Sequence, residues 1–564
     1  MAALQLLGME RPFQGVASCP APEKSHTLPR PIVVSRMMIP SENTTAGASD
    51  WSGAFSAVAE QMYAVLKACP RRALLACSTV NPRHPLPLDH LELVATVTGS
   101  SACALDYQPS MAKRIKAFSR SLAFAALVTI RIAYVRARFH TKIRALLREP
   151  ASVVMKTWFF GPPSGNGPDF YFGRLPNLLQ ANGMSYVLVG GNLGTGSATC
   201  FARSLLDSGR HAIPELALVR LWAPLAILAD QILTSFSLTK LAKNSHNPLF
   251  SAVASRASLE CLRPATFSHA LHYYTAKRAV EIWRPKAYAT LYEGQPWEKV
   301  AWLGAKNADP ACRTMGYQHA VVMPHSLGLI APHVDGWEFP APDIVFGLGD
   351  ATIALMEGGH RALGTTFMTL GSFRRTSEKQ QQASPSPTRR VVLVVPEGFM
   401  EEAVLLFERA AEAAIAMPDY RFVFRCHPQL PFDRIRSHLS NDIAALPNVE
   451  ISDRVAIEDD FARSSVVLYR GSSVVLYAVL AGLKPYYFNE PGMPYVDPLY
   501  QLGCWRESVD SVGKLADSLR HYAQMDAERI LTEWTSAKVF CNDYASPVNE
   551  LDVTEAINFL TGMC

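Results

Sequence analysis

The sequence predicts an α/β protein of two doubly wound domains facing a cleft, with a helical insertion in the first. Three observations predict it. Short apolar runs without polar alternation recur between helical stretches, the pattern of parallel strands covered on both faces. A polar segment rich in Ser and Gln, 374–390 (RRTSEKQQQASPSPTRR), lacks apolar periodicity and divides that pattern in two. The 564 residues are 49% hydrophobic, 10% aromatic and 18% charged, enough for several packed domains and too apolar for a disordered chain.

Beyond the linker the elements follow in regular order. Val391–Pro396 (VVLVVP) reads as a strand, 401–417 as a helix, 420–425 (YRFVFR) as a strand and 432–446 as a helix. Val449–Ile451 is the next strand, Glu458, Asp459 and Asp460 open a helix, 466–469 (VVLY) is a strand, 474–483 a helix and 485–488 a strand. Before the linker, strands are expected at 152–160 (SVVMKTWFF), 185–189, 287–292 (AYATLY), 312–318 and 343–346, with a helix at 171–182 and a helical insertion at about 196–284. The domain plan is a flexible extension (1–50), an N-terminal region with a basic amphipathic helix (51–150), a first Rossmann-like domain (151–373), the linker (374–390), and a second Rossmann-like domain with C-terminal helices (391–564). No repeat of 20–50 residues is visible.

Charge and cysteines narrow the function classes. Lys plus Arg number 54 against 49 Asp plus Glu, and a net charge of +5 does not mark a nucleic-acid binder. The 11 cysteines form no CxxC pair and no zinc-spaced cluster, so reduced thiols and a cytoplasmic location are expected. The opening MAALQLLGMERPFQG lacks the charged start and apolar length of a secretory signal. Neither 121–130 nor 212–242 offers about 20 uninterrupted apolar residues; Arg220, Pro224 and Asp230 break the second, which reads as a helix pair. Segment 111–148 has ten Lys or Arg and no Asp or Glu. Such a basic amphipathic helix either packs its stripe on its own domain or lies on an anionic membrane surface, which would place the protein at the inner face of the cytoplasmic membrane. No aromatic-rich RNA-binding strand accompanies the charge, and no nucleic-acid partner is expected.

Ligands of doubly wound sheets sit at the carboxyl ends of strands. After 287–292 come Glu293 and Gly294, with Gln295, Trp297 and Glu298 behind; a carboxylate on a strand end is a candidate general base. After 420–425 come Cys426, His427 and Pro428, the proline ending the strand and turning His427 outward. After 466–469 come Arg470, Gly471, Ser472 and Ser473 directly before an apolar helix, a candidate phosphate site with Arg425 and Arg470 nearby. His319 after 312–318 and Gly349 after 343–346 are further cleft candidates, as are the 161–167 loop before Asp169 and the 489–492 turn (NEPG). Glu458, Asp459 and Asp460 read as a helix first turn rather than a metal site, and neither metal nor cofactor is expected.

The order Glu-Gly, His-Pro, Ser-Ser resembles the three short motifs of bacterial sialyltransferase-like and Kdo-transferase-like GT-B glycosyltransferases. The phrases TLYEGQPWEKVAW, GYQHAVVMPH and LYRGSSVVLYAVLAGLKPYYF are similar to those of bacterial surface-carbohydrate enzymes, and the resemblance covers roughly 152–488. It implies a GT-B-like fold and transfer of an acidic sugar, of Kdo or sialic/nonulosonic type, from a CMP-sugar donor onto a glycan or lipid-linked glycan acceptor in capsule or O-antigen assembly. Glu293 would be the base on the acceptor hydroxyl. His427, Ser472 and Ser473 would bind the departing nucleotide's phosphate, without metal. The chain departs from the family at Tyr292, where the first acid of an acidic pair is expected; Glu298 is the substitute candidate for base. The alternatives are a GT-B-like transferase using a CDP-alditol or UDP-sugar, and a non-catalytic membrane-associated assembly subunit.

Overall fold

The computed structural model describes residues 46–81, 93, 105, 107–160, 168–193, 197–324, 326–329, 340–360, 364–375, 384–491, 493 and 495–561. In the first domain the chain lays down β1 (Val153–Phe159), β2 (Tyr186–Asn192), β3 (Ala212–Pro214), β4 (Ala287–Leu291), β5 (Arg313–Tyr317), β6 (Ile344–Gly347) and β7 (Thr366–Thr369). They form one seven-stranded sheet in the order β3-β2-β1-β4-β5-β6-β7, and all neighbours run parallel. β1 and β4 are buried along their whole length, as helices on both faces require.

The second domain repeats the design with β8 (Val391–Pro396), β9 (Arg421–Phe424), β10 (Val449–Ile451), β11 (Val466–Arg470), β12 (Lys484–Phe488) and β13 (Glu507–Val509). Their order is β10-β9-β8-β11-β12-β13 in a six-stranded sheet, again parallel throughout. The chain is thus a two-domain, doubly wound α/β protein. In each sheet the order grows outward from the first strand and then reverses to its other side, between β1 and β4 and between β8 and β11. The crossovers on the two sides cover opposite faces there, so a crevice opens at the carboxyl ends.

Several expected elements differ in detail. β3, β7 and β13 were not expected; each has only 3 or 4 residues at or next to a sheet edge, too short for a periodic signal. The single helix expected at 432–446 is a short helix, Phe432–Arg436, and a 3₁₀ turn, Ile443–Ala445. Ser440 interrupts it by donating its backbone N–H (2.9 Å) and hydroxyl (2.7 Å) to Glu408. In the 212–242 segment β3 precedes a single long helix, Ala223–Asn244, and Pro224 lies in its first turn, where proline opens a helix rather than breaking one.

The N-terminal region and the insertion are one structure. Helices Ala46–Ala68, Met111–Arg138, Ala223–Asn244, Pro248–Glu260 and Pro264–Trp283 enclose their own apolar core, with Leu66, Phe124, Ile132, Leu238, Val253 and Phe267 inside. The stripe Phe124, Val128, Ile132 and Val135 of the basic helix therefore packs inward. The C-terminal helices, expected with the second domain, return to the first. Tyr544, ending helix Ala527–Tyr544, accepts from the Val322 N–H at 2.7 Å, and the Phe559 carbonyl accepts from Arg313. Residues 1–45, loop 161–167 and linker residues 376–383 lie outside the described residues.

Helix Pro296–Ala308, which follows β4, crosses helix Pro264–Trp283 closely enough that a Cβ on Gly304 would strike the Tyr273 carbonyl. Gly304→Ala is expected to destabilise the first domain by about 1–3 kcal/mol, because rigid backbone must give way. Urea unfolding measures it.

Candidate active site

The β4 end is built by a helix cap. Gln295 and Glu298 form a capping box at the start of helix Pro296–Ala308. Glu298 accepts from the Gln295 N–H at 3.1 Å and from the Glu293 N–H at 3.0 Å. It is fully buried, with its carboxylate spent on backbone donors, which corrects the expectation that it substitutes as base. Gly294 turns the chain with φ +77°, and its Cα lies against Gly328, so a side chain there meets both strain and backbone. Lys299, also buried, donates to the Gly294 carbonyl at 3.2 Å.

This turn presents Glu293. Its Oε1 pairs with His319 Nε2 at 2.5 Å, and its Oε2 accepts from Gln295 Nε2 at 3.1 Å. His319 follows β5 on the neighbouring strand end, and its side chain and that of Glu293 are about one-tenth exposed. The Tyr171 ring lies 4.7 Å from the imidazole. Asp169 holds that ring in place by accepting from the Tyr171 and Phe172 N–H groups at 2.9 and 2.8 Å and from Thr157 at 3.0 Å. Burial pushes the Asp169 carboxyl above the usual range despite those bonds. Tyr292 points the other way, fully buried and stacked 5.9 Å from Trp302. The position of the missing acid is thus a core position in this chain. Gly349, expected in the cleft, is buried instead, because its Cα abuts the Asp543 and Tyr544 backbone of the returning helix.

In the second domain three strand ends converge. His427 lies half-buried after β9, with Nδ1 accepting from the Gln429 N–H at 3.2 Å, which assigns the proton of the neutral ring to Nε2. Its ring packs on Gly398, in the turn after β8. The residue before, Glu397, places its carboxylate against Gly471, which follows β11 with φ +70°. The Glu397–Gly398 turn therefore joins His427 to Gly471 and Ser472. Sequence reasoning missed it, although it follows the clearest strand in the chain. Ser473 precedes helix Val474–Leu480, and its hydroxyl makes no capping bond; at 7 residues the helix contributes little dipole, so a phosphate would rest on side chains.

The two arginines differ from expectation. Arg470 is fully buried, pairing through Nε with Glu402 at 2.5 Å and donating to the Phe488 carbonyl at 3.1 Å. Arg425 pairs with Asp460 at 2.6 Å and donates to the Arg454 and Val455 carbonyls. Both guanidinium groups brace the sheet. Asp460 also binds Arg463 and Ser452, inside the acidic first turn of helix Ile457–Arg463.

Segment 371–375 touches elements of both domains that carry these strand ends. Ser372 Oγ is 3.2 Å from Tyr477 Oη, on the helix after Ser473, and the Gly371 carbonyl accepts from Tyr317, two residues before His319, at 3.0 Å. Arg374 lies over Phe170 at 4.7 Å and Tyr171 at 5.8 Å. Tyr171 and Arg374 were not expected at the site, although Tyr171 lies just after the 161–167 loop and Asp169; the fold brings Tyr171 to His319 and Arg374 to Tyr171.

No protein-family model matches the chain, and no curated protein matches it. Among solved structures it is similar to the glycosyltransferase SnogD from Streptomyces nogalater, at 14% identity and a TM-score of 0.40 over 73% of this chain and 99% of that one. It is similar to the UDP-GlcNAc 2-epimerase from Neisseria meningitidis bound to UDP-GlcNAc, at 10% identity and 0.39 over 73% and 100%. The wall teichoic acid polymerase TagF is a third, at 10% identity and 0.39 over 81% and 98%. At these scores the likeness says nothing of reaction or substrate, and the fold rests on the two strand orders above.

Lys299 carries a prediction for the base loop. Burial pushes its ammonium down to about 8 from 10.5, with the Glu298 charge opposing. Between those values the unfolded chain holds a proton that the folded chain has released, so stability rises with pH across that window. Lys299→Met removes this contribution. Relative to the variant, the wild type should gain stability from pH 8 to pH 10, as read by urea unfolding at fixed ionic strength.

Proposed function

We propose that the chain is an inverting glycosyltransferase that moves an acidic sugar from a CMP-activated donor onto the hydroxyl of a bacterial surface glycan, free or lipid-linked. One observation carries the reading. The two domains set a carboxylate–imidazole pair and a His–Ser–Ser cluster at the carboxyl ends beside their strand-order reversals, and segment 371–375 touches elements of both domains.

In this reading Glu293 accepts the proton of the acceptor hydroxyl as its oxygen bonds to the anomeric carbon. The bond from that carbon to the phosphate oxygen breaks in the same displacement, giving inversion. His427 donates its Nε2 proton or hydrogen bond to the phosphate of the leaving CMP, and Ser472 and Ser473 add hydroxyl donors. His319 is a positioning residue, holding the Glu293 carboxylate toward the acceptor, and Tyr171 fixes the imidazole.

Glu293→Gln and His427→Ala are each expected to lower kcat by about 100-fold or more with the melting temperature unchanged. His319→Ala should lower kcat, leave the donor KM near wild type and move the acid limb of the pH profile; an unmoved limb would give it a packing role only. If Glu293→Gln and His427→Ala both stay fully active, the site is elsewhere. A thermal-shift screen of CMP, CDP, UDP and GDP with and without EDTA reads the donor. Selective stabilisation by CMP that survives EDTA is the expected result, and preference for UDP or CDP would discard the CMP donor while keeping the site.

A further inference from the structure

Two of the helices around the insertion turn apolar faces outward. On helix Met111–Arg138 the inward stripe is buried, and the opposite side carries Met111, Ile115, Leu122 and Ile130, the last 65% exposed. On helix Ala223–Asn244 the outward row is Leu225, Ile232, Leu233 and Phe236, the last 79% exposed. These residues recur at helical spacing on one side of each helix, unlike singly scattered surface apolar residues. The helices lie side by side and antiparallel: Arg114 donates to Ser235 Oγ and Arg136 to the Ala217 carbonyl, both at 3.1 Å.

The exposed charge carried by the outward sides of these two helices has one sign. Lys240 and Lys243 continue the Phe236 row, and Lys116 and Arg120 are exposed on helix Met111–Arg138. Helix Met111–Arg138 has no acid at all. The one acid of helix Ala223–Asn244, Asp230, accepts from the Ala73 N–H at 2.8 Å and pairs with Arg71 at 3.5 Å. Both helices are long and apolar enough to cross a bilayer by composition, yet each buries its inner side in the helical core. They are built to lie in an interface rather than to span it.

We propose that this two-helix face docks the protein on an anionic phospholipid bilayer, with Phe236, Leu233, Ile130 and Leu122 entering the acyl boundary and Lys116, Arg120, Lys240 and Lys243 meeting the headgroups. The inference is independent of the donor assignment, since neither helix carries a residue of the candidate site.

The test is flotation of the full chain with vesicles of phosphatidylcholine alone and of equal parts phosphatidylcholine and phosphatidylglycerol. Binding to the mixed vesicles, weaker to the neutral ones and falling with salt, is expected. Two paired variants separate the contributions. Phe236→Glu with Ile130→Glu, and Lys116→Glu with Arg120→Glu, should each weaken binding by about tenfold or more while the circular dichroism melt is kept. If the first pair destabilises the fold, Phe236→Ser alone carries the same test. Absence of flotation, or wild-type flotation by the apolar variant, overturns the proposal. A dimer in light scattering that Phe236→Glu dissolves, without vesicle binding, would also overturn it and assign the face to a second copy of the chain.

Discussion

The site depends on one constraint of parallel sheets. A chain that adds strands to one side of its first strand and then to the other must send its crossovers over opposite faces, and nothing covers the carboxyl ends where the order reverses. Here that happens twice, between β1 and β4 and between β8 and β11. Glu293 ends the strand across the first reversal, and Gly471 and Ser472 end the strand across the second. His319 follows β5, one strand further out on the same side, whereas His427 follows β9, which lies on the other side of the second reversal, next to β8. The chemistry-bearing side chains therefore gather about the reversal of each sheet, on one side of it in the first domain and on both sides in the second.

Local structure then fixes the geometry. Glu298 joins two jobs: its carboxylate caps helix Pro296–Ala308 and at the same time accepts from the Glu293 backbone N–H. The cap therefore fixes the backbone from which Glu293 reaches His319, and Gly294 supplies the φ that the reversal needs. In the second domain the Glu397–Gly398 turn plays the corresponding part, since a side chain at Gly398 would press on the His427 ring where it now lies. Two strained or crowded turns position the groups, and the regular elements around them carry no functional side chains of their own.

Much of this was legible in the sequence because buried parallel strands are short, mainly apolar runs without polar alternation. VVMKTWF, AYATL, VVLVVP and VVLYR announce the central strands, and the residues after them name the candidate site. What was not legible follows from distance along the chain. Tyr171 reaches His319, and Arg374 reaches Tyr171, only through the fold, and Tyr292 carries no local sign that it faces the core. The same holds for Arg425 and Arg470, which resemble phosphate ligands in sequence until the structure pairs them with Asp460 and Glu402. The edge strands β3, β7 and β13 are too short to have a period, and the return of Tyr544 to Val322 is a contact over more than two hundred residues.

Those paired arginines bear on the charge the second-domain crevice can accept. A diphosphate leaving group gathers negative charge that is ordinarily met by a divalent cation or an unpaired guanidinium. In this crevice Arg470 is buried against one carboxylate and Arg425 is tied to another, while Glu397 sets a further carboxylate beside Gly471. Neither guanidinium can meet a departing phosphate without giving up its present carboxylate, and the polar side chains that remain at these strand ends are those of His427, Ser472 and Ser473.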